Sequence, residues 1–164
     1  MLAGSTISYR SRSSEETWFL IVAALVLIAD QVTKRIVVTT FLPGESRIVI
    51  PHFLRWTFEQ NQHGAFGLFG SSRILLIAMA LVVLTIFWLS FREAARHSVL
   101  ARIAFGLILG GAIGNIIDRL HYQYVIDFVD FYRIWPNVFN VADACITIGV
   151  VLLLLSSLAS RRHA

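Results

Sequence analysis

Residues 74–91 read ILLIAMALVVLTIFWLSF, a run with no charged side chain that lies between Arg73 and Arg92. As an α-helix, a run of this length rises about 27 Å, which approaches the ~30 Å hydrocarbon core of a bilayer. The composition agrees, since 57% of the 164 residues are hydrophobic and 15% are charged, whereas about a quarter of a soluble domain is charged. The run therefore predicts a helix that crosses a membrane.

Three other stretches have the length and apolar character of a membrane span. They cover about residues 18–38, residues 99–117 and residues 141–159, and the first contains Asp30 and Lys34 near its end. Because its apolar part runs directly into these charges without a small-residue cleavage site, we expect it to be retained rather than removed as a signal peptide. The sequence thus predicts a single all-α membrane domain with four transmembrane helices.

The basic residues are too dispersed to indicate a nucleic-acid site. The net charge is +4, but no basic run exceeds the pairs Lys34–Arg35 and Arg161–Arg162, so loops that face anionic lipid are the simpler interpretation. The single cysteine, Cys145, excludes an internal disulfide and a multi-cysteine metal site, and the five histidines show no ligand-like spacing. We therefore expect membrane lipid as a partner, and neither nucleic acid, a metal nor another cofactor.

Four spans place both termini on one side of the membrane. The lysine and arginine residues divide seven to seven between the two sides, but the positive-inside rule gives most weight to short connections near the spans. The connection from Arg92 to Arg102 and the pair Arg161–Arg162 fit that description. We therefore expect the termini to be cytoplasmic.

All five aspartates fall toward the opposite, outer face under this topology. Asp30, Asp118 and Asp143 lie at the outer ends of the first, third and fourth spans, and Asp127 and Asp130 lie in the outer loop, residues 118–140. An ionisable group within a membrane is costly and is functional by default. The convergence therefore predicts a site at one membrane surface, whichever face that is.

The connection between the first two spans, residues 41–70, has the character of a small sheet. Runs at 47–50 and 53–59 have strand composition and follow a turn at Pro43–Gly44. Because aromatic residues suit the headgroup level, we expect a β-rich platform on the outer membrane surface. The later run YVIDFVDF, residues 124–131, predicts a strand or a buried loop.

Two helical spacings place residues against neighbouring helices. Asp30 and Lys34 are four apart and can form an ion pair, which leaves a structural role and direct chemistry equally open. In the third span, the GxxxGxxxG pattern from Gly106 to Gly114 favours close helix approach. The residues that continue this face are polar: Asn115, Asp118 and Arg119. For Asp118 and Arg119 we favour a structural role.

Asp127 and Asp143 are the best candidates for a catalytic pair. Asn140 and Asp143 suit a helix start, as N-cap and first-turn residue, but this does not explain a second aspartate in the apolar loop that feeds the same helix. Two carboxylates held close cannot both ionise easily, so one can activate water while the other protonates a carbonyl oxygen. Asp130 is a rival by sequence distance, but in a strand it would point to the opposite face.

Four segments, in this order, resemble the sequence boxes of the lipoprotein signal peptidases (signal peptidase II), which are bacterial inner-membrane aspartic peptidases. They are DQVTK at 30–34, NQHGAFG at 61–67, GNIIDR at 114–119 together with VIDF at 125–128, and FNVAD at 139–143. The second segment departs from the family's pattern, because His63 stands where glycine is usual and Gly64 where alanine is usual. We expect the His63 side chain to be solvated.

The resemblance implies an endopeptidase that cleaves diacylglyceryl-modified prolipoproteins just before the lipidated cysteine. It implies Asp127 and Asp143 as the catalytic residues. It also implies hydrogen-bonding partners of the substrate or the pair (Asn61, Arg119 and Asn140) and supporting polar residues (Asp30, Lys34, Asn115 and Asp118). The active site would lie toward the periplasmic face of the inner membrane.

Two alternatives stay open at this stage. Asp118 could be a member of the catalytic pair, since the aspartate of a GNxxDR box is also strictly placed. A small transporter or ion-pathway protein could use an acidic rim, although such a protein is expected to place acids near the midplane or on both faces. The HExxH motif of zinc peptidases does not occur in the sequence.

Overall fold

The computed structural model describes residues 12–64 and 72–161. Its four helices are α1 (Arg12–Thr40), α2 (Arg73–His97), α3 (Val99–His121) and α4 (Val141–Arg161), and its three strands are β1 (Ser46–Ile50), β2 (Leu54–Asn61) and β3 (Val125–Asp130). Helix α3 continues to His121, so Asp118 and Arg119 lie on the helix rather than in the loop that the sequence predicted from residue 118.

Within the described residues, three helical segments are long and apolar enough to cross a membrane. They are Arg73–Ser90, Val99–His121 and Val141–Leu158. Helix α1 carries Asp30, Lys34 and Arg35 in its C-terminal half, which lowers its apolar character there. The structure is therefore a mostly helical one with a small sheet, as the sequence predicted at the level of fold class.

The three strands form one antiparallel sheet in the order β1-β2-β3. In contrast to the prediction of a platform built between the first two spans, the third strand comes from the connection between α3 and α4. A register shift in β2 separates Trp56, which pairs with Val129, from Glu59, which pairs with Asp127. The pairing brings the end of β2 beside Asp127 of β3.

An apolar cluster packs the sheet against the end of α1. Its buried members are Val37 of α1, Phe58 of β2, and Ile126 and Phe128 of β3. Because β3 packs on both the sheet and the helix, it is buried along most of its length. The cluster thereby places Asp127 at the junction of the sheet and the helices.

Helix α3 lies between α1 and α4 and approaches both through glycines. A Cβ atom built on Gly110 would lie 2.5 Å from the carbonyl oxygen of Ala23 in α1, and one on Gly111 would lie 2.6 Å from that of Ala142 in α4. Gly106 meets α1 in the same way, which confirms the predicted close approach along the glycine ridge. The backbones of the three helices therefore have little freedom to shift against one another.

Candidate active site

Lys34 lies at the centre of a buried polar cluster between α1 and α3. Its Nζ atom is 2.8 Å from Oδ2 of Asp30 and 2.8 Å from Oδ2 of Asp118, and it donates to Oδ1 of Asn115 at 3.0 Å. Lys34, Asp30 and Asp118 are all at most 1% exposed. The predicted pair of Asp30 and Lys34 is thus present, but Asp118 shares the ammonium group with it.

The two carboxylates of this cluster also hold the backbone of neighbouring elements. Oδ1 of Asp30 accepts the N–H of Ala142 at the start of α4, at 3.0 Å. Oδ2 of Asp118 accepts the N–H of Ile126 in β3, at 3.1 Å. The cluster therefore connects α1, α3, β3 and α4 at one end of the helices.

Gln31 belongs to the same cluster, although no role was predicted for it from the sequence. Its Nε2 atom lies 3.0 Å from Oδ1 of Asp118, 3.2 Å from Oδ2 of Asp30 and 3.3 Å from the carbonyl oxygen of Gly114. The signal that could have found it is its spacing of three residues from Lys34, which places both side chains on one helix face.

Asn140 and Asp143 start α4 as a reciprocal cap. The backbone N–H of Asp143 donates to Oδ1 of Asn140 at 2.9 Å, and the backbone N–H of Asn140 donates to Oδ2 of Asp143 at 3.3 Å. This confirms Asn140 as the N-cap and Asp143 as a first-turn residue. The cap fixes the carboxylate of Asp143 at the positive end of the helix dipole.

Two asparagine amides connect Asp143 with Asp127. Nδ2 of Asn140 donates to Oδ1 of Asp127 at 2.6 Å and to Oδ1 of Asn115 at 3.2 Å. Nδ2 of Asn115 in turn donates to Oδ1 of Asp143 at 2.8 Å. The structure thus brings Asp127 and Asp143 into one hydrogen-bonded network with Asn115 and Asn140.

Asn61, at the end of β2, donates to the second carboxylate oxygen of Asp127. Its Nδ2 atom donates to Oδ2 of Asp127 at 2.8 Å, while its Oδ1 atom accepts the backbone N–H groups of His63 and Gly64 at 3.2 and 3.0 Å. Gly64 adopts a positive φ of 72°, and the His63 side chain is exposed, as expected. Residues 65–67 of the second box lie outside the described residues.

Arg119 lies beside the network without being fully hydrogen-bonded. Its Nη1 atom donates to the carbonyl oxygen of Asn115 at 3.3 Å, and its Nε atom is buried and has no hydrogen-bond partner among the described residues. The guanidinium also interacts electrostatically with Asp143, Asp127 and Asp118. A buried donor without a partner is costly, so this arrangement suits a group that binds an external acceptor.

The electrostatic environment of Asp127 favours its protonated form. The side chain is 1% exposed, and this burial, together with the nearby Asp143 carboxylate, raises the pKa of Asp127 to about 8. The hydrogen bonds from Asn61 and Asn140, and the charge of Lys34, act in the opposite direction. The pair can therefore hold one proton at neutral pH, which is the state that acid–base catalysis by two carboxylates requires.

Asp130 contacts side chains of the neighbouring strand β2. Its Oδ2 atom forms an ion pair with Nε of Arg55 at 2.5 Å and accepts a hydrogen bond from the Thr57 hydroxyl at 3.1 Å. Of the two aspartates in the VIDFVD strand, only Asp127 is therefore bonded to Asn140 and Asn61, and Asp130 contributes to the sheet.

The fold is that of known membrane enzymes. Two solved structures, each described as a bacterial membrane enzyme studied by the in meso method, share it. One, at 2.3 Å resolution, has a TM-score of 0.80 and 33% identity over 88% of this chain and 90% of its own. The other, at 1.9 Å, has a TM-score of 0.75 and 34% identity over 87% and 93%.

The sequence comparisons define the family more closely. The profile of the signal peptidase (SPase) II family matches residues 22–159, and the chain belongs to this family. The lipoprotein signal peptidase of Moorella thermoacetica is 42% identical over 135 residues, which cover 82% of this chain and 89% of the relative. That of Syntrophomonas wolfei is 45% identical over 132 residues, or 80% and 86%. The chain is therefore a protease of the signal peptidase type, and the resemblance found in the sequence is confirmed.

Proposed function

We propose that the protein is an aspartic endopeptidase that removes signal peptides from prolipoproteins, with Asp127 and Asp143 as its catalytic pair. The single observation that carries the assignment is the network in which Asn140 and Asn115 join these two carboxylates. Family membership favours a peptidase over the transporter that the acidic rim alone left open.

The chemistry follows from one proton held between two acids. The ionised carboxylate takes a proton from a water molecule as that water attacks the scissile carbonyl carbon. The protonated carboxyl group gives its proton to the carbonyl oxygen, so that a tetrahedral diol forms without a full oxyanion. Collapse of the diol then moves a proton to the leaving amine. The raised pKa of Asp127 supports this division of roles.

The polar residues around the pair would hold the substrate and the site itself. Arg119, with its unbonded Nε atom, suits a substrate carbonyl oxygen, and Asn61 and Asn140 orient Asp127. Asp30, Lys34, Asn115 and Asp118 would act as supports, because they join the ends of four elements. Asp118 is already bonded to Lys34, Gln31 and Ile126, which favours a structural role over a catalytic one.

The substrate class that we propose is a prolipoprotein with diacylglycerol on its cysteine, cleaved just before that cysteine. Such a substrate presents its scissile bond near a membrane surface, and the network lies at one end of the apolar helices. We include α1 as a fourth membrane span, because Trp18, Leu25 and Ile28 expose apolar surface along it. The proposed location is the inner membrane, with cytoplasmic termini and a periplasmic active site.

The test is a cleavage assay in detergent with a synthetic lipobox peptide that either carries or lacks diacylglycerol on its cysteine. Wild type is compared with Asp127→Asn, Asp143→Asn and Asp118→Asn, and with Asp130→Asn as a control for an aspartate in the same strand. We expect only the lipidated peptide to be cut, with turnover abolished in the first two variants and kept in the control. Wild type that is folded but cleaves neither peptide would overturn the function, and near-normal turnover in Asp127→Asn or Asp143→Asn would overturn the pair.

The topology has its own test. A reporter that is active only in the periplasm would be fused after residue 164, and a second reporter that is active only in the cytoplasm would be fused at the same place. We expect activity from the cytoplasmic reporter alone. Activity from the periplasmic reporter would contradict either the four spans or their direction.

A further inference from the structure

Three asparagine amides surround the carboxylate pair, and they are oriented in two different ways. Oδ1 of Asn61 accepts the backbone N–H groups of His63 and Gly64, and Oδ1 of Asn140 accepts the backbone N–H of Asp143. In both residues the chain itself fixes which end of the amide faces the carboxylate. Asn115 is the exception, because its Oδ1 atom is held by side chains.

The ammonium group of Lys34 is the charged partner of Asn115. Nζ donates to Oδ1 of Asn115 at 3.0 Å, and Nδ2 of Asn140 reaches the same oxygen at 3.2 Å. A lysine ammonium has donors and no acceptor, so the oxygen of Asn115 must face it. The amide nitrogen of Asn115 is then left to donate to Oδ1 of Asp143, at 2.8 Å.

We propose that Lys34 is a positioning residue for the catalytic pair. It locks Asn115 in the orientation that donates to Asp143, keeps Asp143 as the ionised member, and leaves the shared proton to Asp127. This inference rests on the proposed function and adds to it the origin of the asymmetry between the two carboxylates. The opposite orientation of Asn115 would place its nitrogen against the ammonium and its oxygen against a carboxylate.

The position of Asp143 on α4 favours its ionised form. Asp143 lies in the first turn of α4, where the helix dipole favours an anion, whereas Asp127 lies on a strand and is 1% exposed. The charged groups that act on Asp143 are Lys34 and Asp30 of α1, Arg119 of α3 and Asp127 of β3. Lys34 donates to the side-chain amide of Asn115, which itself donates to Asp143, whereas Arg119 donates to the backbone carbonyl oxygen of Asn115.

The two carboxylates around Lys34 determine how it acts. Asp30 and Asp118 each lie 2.8 Å from Nζ, so their charges offset that of the ammonium at longer range. Lys34 therefore acts on the pair mainly through its directed bond to Asn115. Gln31 offers the matched control, because it donates to the same two carboxylates but its described hydrogen bonds do not include Asn115.

The experiment measures kcat, KM and the pH profile of kcat on the lipidated lipobox peptide, together with the melting temperature in detergent. The variants are Lys34→Met, Gln31→Leu and Lys34→Met/Asp118→Asn. The single change at Lys34 leaves two buried carboxylates without their cation, which threatens folding. The double variant restores the net charge of the cluster without restoring the ammonium, so Oδ1 of Asn115 is left with the bond from Nδ2 of Asn140. This variant carries the test if Lys34→Met does not fold.

We expect Lys34→Met and the double variant to lose about tenfold to a hundredfold in kcat, with KM nearly unchanged. Both limbs of the pH profile should move to higher pH, since an ionised Asp143 loses its oriented donor. Gln31→Leu should lower the melting temperature and leave both limbs in place. The proposal is overturned if the double variant regains the melting temperature, the kcat and the pH profile of wild type together. It is also overturned if Gln31→Leu moves the limbs of the pH profile as far as Lys34→Met does.

Failure of this inference is distinguishable from failure of the proposed function. Wild type that cleaves the lipidated peptide, beside an inactive Asp127→Asn variant, establishes the peptidase and its site. If a folded Lys34 variant then shows the wild-type profile, only the positioning role of Lys34 is lost.

Discussion

Nδ2 of Asn140 lies 2.6 Å from Oδ1 of Asp127, and the same residue caps α4 through its other side-chain atom. One side chain therefore starts α4 and also donates to the carboxylate of Asp127 on β3. The amide that donates to Asp127 is thus held in place by the N-terminus of α4. Asn140 therefore has two functions, the cap of α4 and the hydrogen bond to Asp127, and substitutions of Asn140 can test them separately.

Asn140→Ala should remove both functions, and Asn140→Ser should remove one. Serine can still accept the Asp143 N–H as an N-cap, whereas alanine cannot, and that difference is worth about 1 kcal/mol of stability. We expect both variants to lose about tenfold to a hundredfold in kcat, because neither donates an amide to Asp127. Thermal unfolding and turnover, measured on the same preparations, separate the two effects. Full recovery of kcat in Asn140→Ser would mean that Asn140 acts only as a cap.

The pKa of Asp127 makes activity and stability depend on pH. Because its pKa is raised from 3.8 to about 8, the carboxyl group keeps its proton at neutral pH, and kcat should fall above about pH 8. The folded state holds a proton that the unfolded state releases, so its stability should decline as pH rises from about 4 toward 8. Melting temperatures of wild type and Asp127→Asn from pH 5 to 9 test the second point. A decline of equal slope in both proteins would contradict it.

The turn after β2 should be sensitive at Gly64 and tolerant at His63. Gly64 has a φ of 72°, and a Cβ atom there would lie 2.9 Å from Cδ2 of Leu76 and 3.9 Å from Nη2 of Arg119. Gly64→Ala should therefore cost about 1–3 kcal/mol through backbone strain and should raise KM, because it disturbs the turn that Asn61 holds through the Gly64 N–H. His63→Ala keeps the backbone N–H that Asn61 accepts, so it should leave KM unchanged. A loss of activity in His63→Ala alone would assign the exposed imidazole a direct role.

Helix packing against α3 should be intolerant of a single methyl group. At Gly110 the nearest atom to an added Cβ is a backbone carbonyl oxygen of α1, at 2.5 Å, which a rotamer change cannot move. We expect Gly110→Ala to destabilise the protein by about 1–3 kcal/mol. Leu120→Ala, at a position of the same helix that is 64% exposed, is the control and should have little effect. Equal melting temperatures for the two variants would contradict close packing at Gly110.

The sequence predicted those parts of the site that depend on local spacing or on membrane topology. The convergence of the aspartates follows from counting spans, and the cap formed by Asn140 and Asp143 follows from three residues of spacing. The glycine ridge of α3 likewise follows from helix periodicity, because residues four apart share a face. For the cap and the glycine ridge, the physical cause lies within one segment of the chain.

The remaining parts depend on pairings between distant segments. Asp118 shares Lys34 with Asp30 across two helices, and the spacing that predicted the pair of Asp30 and Lys34 does not indicate a second carboxylate on another helix. The pairing of β3 with β2 includes a register shift between Trp56 and Glu59, which alternation of apolar and polar residues does not predict. Gln31 was missed for a similar reason, since its partners lie on α3.

Asp143 lies in the last helix and Asn140 caps it, and this late place in the chain has a consequence for biosynthesis. The ribosome makes α1, the sheet and α3 before α4, so a growing chain already contains Lys34, Asn61, Asn115 and Asp127. With Asp143 as one member of the proposed catalytic pair, such a chain has Asp127 but lacks the second carboxylate. On this proposed assignment, the protein gains its proteolytic activity only after α4 has been made, and the incomplete chain is inactive.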